Sequence, residues 1–190
     1  MKSATDLQLI EKSLRGESRA FDELVIRYQD RLVHSLQHAF GSREDALDVA
    51  QQAFVLAWNK LASFRQESQF YSWLYRIARN VAASQTRRHQ VPSGSLDQLN
   101  EATSYEPTDQ RHGATPEHAM EQAEQIRLVQ DALKCVSEEF RQPLVLKEID
   151  GFSYEQIAEV LDIPLGTVRS RIFRARQEMI EILRRTMDVK

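Results

Sequence analysis

The residues with the plainest chemistry in this chain are arginines and aromatics, gathered in two blocks that contain no acid. Arg169, Arg171, Arg174 and Arg176 lie between Gly166 and Arg176, and Arg76, Arg79, Arg87 and Arg88 lie between Ser68 and Arg88. Local patches of this kind create a positive potential suited to a polyanion. The earlier block is preceded and threaded by Phe64, Phe70, Tyr71, Trp73 and Tyr75. Rings interleaved with guanidinium groups suit unpaired bases, which stack on the rings while the arginines hold the backbone. Asn80 adds a side chain able to read the edge of a base removed from a duplex. A third group, Asp45, Asp48, Gln51 and Gln52 with Val55 and Trp58, mixes carboxylates and amides with apolar side chains. No His or Cys stands at ligand spacing to make a metal site of the two aspartates. His34 and His38 lack an interposed Glu and a further ligand, so they read as two ordinary helix-surface histidines. Neither catalytic residues nor a metal or cofactor is expected, and the six scattered glycines form no phosphate-cradling loop.

Helices must position these residues. Ser153 with Gln156 three places later is a capping box, which predicts a helix from Tyr154 that buries Ile157, Ala158 and Leu161. Asp162 to Gly166, with Pro164 inside, ends it, and the next helix begins between Pro164 and Thr167. So tight a junction is a helix-turn-helix. Its second helix turns Val168, Ile172, Ala175, Met179 and Ile182 toward a core and Thr167, Arg169, Ser170, Phe173 and Arg174 away from it. An outward Phe173 is expected to meet a thymine methyl or a sugar in the major groove while Arg169 and Arg174 reach guanine edges or phosphates. Arg171 and Arg176 would hold phosphates from the flanks.

In the other half, a helix from Asp45 to Leu61 is expected to bury Leu47, Ala50, Phe54, Ala57 and Leu61. It would present Asp45, Asp48, Gln52, Val55 and Asn59, with Gln51 and Trp58 along the edge, as a protein-docking surface. After it, Leu74, Ile77, Ala78 and Val81 form a core stripe that leaves some of the aromatics near the surface beside the arginines.

The 190 residues allow two small cores. Three of the five prolines fall in the 28 residues from His89 to Pro116, a stretch without period that reads as a linker. As a flexible coil it would span roughly 30 Å. The expected organisation is all-α: a helical domain at 1–88, a flexible linker at 89–116 and a helix-turn-helix domain at 117–190. The net charge of -3 conceals an uneven spread, +3 over residues 1–88 and -3 in each of the other two parts. No run approaches the length needed to span a bilayer, and the first residues lack a signal-peptide core, so a cytoplasmic protein without membrane insertion is expected. The lone Cys135, beside Ala132, Leu133 and Val136, reads as a small buried hydrophobe.

Four stretches together resemble the extracytoplasmic-function group of sigma-70 relatives, closest to its envelope-stress branch. They are Gly16 to Phe21, Asp45 to Phe54, Phe70 to Asn80 and Gly166 to Arg176. The resemblance covers both halves and leaves the linker unmatched. It implies that the helix matching Asp45 to Leu61 docks on the clamp helices of the largest subunit of core RNA polymerase, with Asp45, Asp48, Gln51, Gln52 and Trp58 in contact. It further implies that the aromatic-arginine segment melts the minus-ten element of promoter DNA and reads it as single strand, while the last helix reads the minus-thirty-five duplex. The linker would run near the RNA exit path, and an anti-sigma factor is a common partner in such proteins. A stand-alone helix-turn-helix regulator is the alternative, although the first half has neither the alternating strands of a receiver nor a dimerising heptad.

Overall fold

The computed structural model describes the backbone of residues 4–89 and 116–188, and the side chains of 4–86 and 124–186. The linker therefore lies outside the described residues, apart from its end residues His89 and Pro116, as do the side chains of Arg87 and Arg88. Among the described residues there are eight α-helices and no strand. The first group comprises α1 (Asp6–Leu14), α2 (Ser18–Phe40), α3 (Arg43–Lys60) and α4 (Phe70–His89), with a single 3-10 turn at Leu61–Ser63. The second comprises α5 (Pro116–Cys135), α6 (Glu138–Glu148), α7 (Tyr154–Leu161) and α8 (Leu165–Asp188).

Local chemistry sets these boundaries. Thr5 and Gln8 cap α1 reciprocally, and the Asp6 carboxylate accepts from Arg27 and Tyr28, which ties α1 to α2. Gly41 takes the left-handed conformation at the end of α2, where its N–H reaches the Gln37 carbonyl at 2.7 Å. Ser42 then accepts from the Asp45 N–H and starts α3. The expected capping box is present in α7: Gln156 N–H donates to Ser153 Oγ (3.2 Å), and Ser153 N–H to Gln156 Oε1 (2.8 Å). Asp162, at φ 54°, ends α7 in the left-handed region. The N–H groups of Thr167 and Val168 then bond the Pro164 carbonyl and open α8.

Three expectations are corrected by packing. In α3 the buried stripe is Ala46, Val49, Ala50, Ala53, Phe54 and Ala57, continued by Leu61, whereas Leu47 is exposed. That stripe lets α3 pack between α2 and α4. Cys135 is also exposed; Ala132 and Leu133 of α5, and Val136 just after it, face inward, and Cys135 falls outside the arc they cover. The aromatic surplus of α4 is not at the surface, since Phe70, Tyr71, Trp73 and Tyr75 are all buried.

The reason for the last correction is the relation between the two groups. A single cluster of buried apolar side chains runs through both instead of forming two separate cores. The loop between α6 and α7 turns at Gly151 (φ 68°) and sends Phe152 into the face formed by α4. Its ring meets Tyr71 edge-on at 5.7 Å and Tyr75 at 6.5 Å. Phe70 and Trp73 are instead covered within the first group, in an aromatic cluster with Phe64 and Tyr28.

Candidate nucleic-acid interface

The outward face of α8 is built by the inward one. Val168, Ile172 and Ala175 are fully buried, so the helical period turns Arg169, Ser170, Phe173 and Arg174 to the opposite side, where all four are exposed. Phe173 is 62% exposed, an unusual place for a large ring. Thr167 is half-buried, and its carbonyl accepts from Ser170 Oγ at 3.0 Å. Arg171 reaches Glu139 at 3.2 Å and Arg176 reaches Glu148 at 2.5 Å, both acids belonging to α6. The hydrogen bond to Glu148 pushes the Arg176 pKa further up. Arg174 stands over the edge of the surface, its guanidinium carbon 5.9 Å from the Phe140 ring centre. An apolar ring flanked by two cations, projecting from the second helix of a helix-turn-helix, has the shape and charge to enter a major groove.

The first arginine block is differently placed. Arg76 pairs with Glu159 at 3.7 Å, and Arg79 donates to the Val160 carbonyl at 3.4 Å, so both are engaged by α7. Asn80 is exposed on α4 and Phe64 is half-buried. A cleft of about 730 Å³ opens beside Phe64, lined also by Tyr28, Arg31, Gln69, Gln156 and Glu159 among others. Burial raises the phenol pKa values of both Tyr71 and Tyr75, and the Asp150 carboxylate adds to the effect.

On α3, Asp45, Asp48, Gln51, Gln52, Val55 and Trp58 are all exposed and share the outer side of the helix. Val55 is 58% and Trp58 39% exposed. The Trp58 ring stands edge-on to Phe21 at 5.0 Å, at the mouth of an apolar groove of about 340 Å³ shared with Val25 and Phe54.

Sequence reasoning missed the polar seam between the two groups. Asp150 is buried, and its carboxylate accepts from Ser35 Oγ, from Tyr71 Oη at 2.8 Å and from Arg31 Nε at 3.3 Å. Arg31 also donates to the Asp150 carbonyl at 2.7 Å and lies 3.9 Å above the Tyr71 ring. Burial pushes the Asp150 pKa up, against the pull of Ser35, Tyr71 and Arg31. An acid before a glycine between two helices gives no signal that it is a buried acceptor.

Two family models match the chain: sigma-70 region 2 over residues 24–91 and sigma-70 region 4 over residues 126–179. The ECF RNA polymerase sigma-E factor of Haemophilus influenzae is 44% identical over 93% of this chain and 94% of its own length. The chain belongs to the ECF group of the sigma-70 family. The sigma-E factor of Escherichia coli K12 is 42% identical over 91% of each chain. Among solved structures, the sigma factor RpoE of Bartonella quintana, in complex with the anti-sigma factor NepR, superposes with a TM-score of 0.68 at 26% identity, covering 86% of this chain and 96% of that one. CnrH, in complex with the cytosolic domain of CnrY, gives 0.63 at 27% identity over 92% and 94%. Both superpositions extend across the two helix groups of this sigma factor. Among its described residues no helix is long and apolar enough to cross a membrane.

Proposed function

We propose that this sigma factor binds core RNA polymerase in the cytoplasm and directs it to a specific set of promoters, acting as an initiation factor and not as an enzyme. Residues 1–88 would dock on the polymerase through Asp45, Asp48, Gln51, Gln52, Val55 and Trp58. The same domain would open the minus-ten element and hold one strand with Phe64, Arg76, Arg79, Asn80, Arg87 and Arg88. Phe70 and Trp73 support that surface from beneath, while Tyr71 and Tyr75 join it once Phe152 withdraws. Residues 117–190 would read the minus-thirty-five duplex through Thr167, Arg169, Ser170, Phe173 and Arg174, with Arg171 and Arg176 on phosphates, and residues 89–116 would connect the two. An anti-sigma factor as a further partner is supported by the two solved neighbours, each captured with one.

The observation that carries this reading is the exposed Phe173 between Arg169 and Arg174 on α8. Run-off transcription with core polymerase on a randomised promoter library tests it. Two conserved boxes separated by a fixed spacer are the expected outcome. Failure of the chain to co-elute with core polymerase, or transcripts without sequence preference, would overturn it.

A further inference from the structure

The four arginines of α8 divide into two kinds. Arg169 and Arg174 lie on the outer side with Phe173, and among the described residues neither has a carboxylate at ion-pair distance. Arg171 and Arg176, on the flanks, each have one: Arg171 Nη2 reaches Glu139 Oε2 at 3.2 Å, and Arg176 Nη2 reaches Glu148 Oε1 at 2.5 Å. Glu139 belongs to the first turn of α6 and Glu148 is its last residue, so a single helix engages both flanking arginines. Neither pair does much for the fold, because the two carboxylates are 56% and 52% exposed and water screens the attraction. Their effect falls on what α8 can bind. A carboxylate and a phosphate compete for the same guanidinium donors. A phosphate that takes Arg171 or Arg176 must displace an acid, and the displaced carboxylate stays beside the DNA as a like charge and recruits a cation of its own. Each exchange therefore forfeits most of the counterion-release gain that an unpaired arginine would supply.

We infer that Glu139 and Glu148 limit the grip of α8 on duplex DNA by competing with backbone phosphates for Arg171 and Arg176. The inference rests on the proposed entry of α8 into a duplex, and adds which residues set the strength of that contact. The cations left to the duplex, Arg169 and Arg174, are the two that share the outer face with Phe173. Phosphate contacts hold a protein on DNA without reading its sequence. Weakening them lowers the hold on every sequence and leaves the bases a larger share of what remains. Neither acid needs to touch DNA, because each acts through its arginine.

The test uses the full chain and a short mixed-sequence duplex, followed by fluorescence anisotropy over a salt series. Glu139→Gln with Glu148→Gln is expected to steepen the log-log salt slope by about 2, since each phosphate contact adds roughly 0.9, and to tighten binding roughly tenfold at low salt. Each single change should steepen the slope about half as much, so the test does not depend on one variant. The control is Glu138→Gln, which removes the same charge from the same turn of α6. Glu138 accepts from Gln142 at 2.8 Å and has no ion pair with α8 among the described residues. A like gain from Glu138→Gln would reduce the effect to net charge and overturn the competition, as would an unchanged slope in the double variant. Adding Arg171→Ala and Arg176→Ala to the double variant should return the slope to that of the parent; a slope that stays steep would also overturn it. Arg169→Ala with Arg174→Ala in the parent tests the underlying reading separately. If duplex binding is undiminished there, the entry of α8 into DNA fails and takes the competition with it. If binding falls while the slope ignores Glu139 and Glu148, only the competition is overturned.

Discussion

Arg174 and Phe173 project from the same side of α8, yet they answer different questions at a promoter. The ring can report only shape and methyl groups, whereas a guanidinium can grip a guanine edge in two places. Arg174→Ala is therefore expected to reduce transcription selectively, by about 1 to 3 kcal/mol on promoters carrying the cognate upstream box. Comparing initial rates on matched and mismatched templates checks this, and an equal loss on both would give Arg174 to the phosphates. Asn80 is an exposed polar group in the middle of α4. Asn80→Ala should slow promoter opening, with most activity restored on a pre-melted template. Trp73 is no substitute for that experiment, because it sits in the aromatic cluster and its truncation should cost about 3 kcal/mol of stability.

His38 carries the pH dependence. Burial, then the His34 ring, then Lys134 lower its pKa from 6.5 to about 4. Between those values the unfolded chain binds a proton that the native chain does not, so stability present above about pH 6.5 is lost as the pH falls toward 4. A shift of that size corresponds to about 3 kcal/mol; because the ring keeps some contact with solvent, a loss on the order of 2 kcal/mol is expected. Urea titrations across this range should show it, and His38→Gln should flatten it. In the sequence His38 looks like any surface histidine, because its burial depends on the C-terminal residues that pack over α2.

Elements were more legible than individual side chains. The capping box at Ser153 and Gln156, the turn through Pro164 and the outward face of α8 follow from short-range chemistry, and the structure reproduces all three. The extent of α3 was read to within two residues at its start and one at its end. Its inward stripe was read less well at Leu47, because a helix packed on two sides by α2 and α4 tolerates small residues that a hydrophobicity pattern undervalues. The docking role of α3 leads to its own prediction. Trp58→Ala should weaken binding to core polymerase by about 2 kcal/mol or more, measured by competition against the parent chain. An unchanged affinity would move the docking surface elsewhere. Helical content should stay as in the parent, since Trp58 already stands at the rim of its groove.

For the whole molecule, the all-α class and the order of the parts were legible, whereas their closed packing was not. Ser35 and Asp150 are 115 residues apart, and no periodicity links a helix serine to a loop aspartate at that range. The charge distribution belongs to this scale as well. With a net charge of -3 and with Arg171 and Arg176 held by Glu139 and Glu148, the free chain has few cations to offer a duplex. Its non-specific affinity should fall with salt on a log-log slope no steeper than about -4. Anisotropy over a salt series measures that slope, and a value near -8 would require contacts beyond the α8 patch.

Phe152 against Tyr71 and Tyr75 gives the contact between the two helix groups a thermal character of its own. Separating those rings brings apolar surface into water, so opening increases the heat capacity, and the free energy of closure curves with temperature instead of falling in a straight line. Closure is then firmest at one intermediate temperature and loosens on both sides, by weakened burial in the cold and by chain entropy in the heat. The share of chains with these rings apart would thus pass through a minimum as the temperature rises, a response written into three aromatic rings.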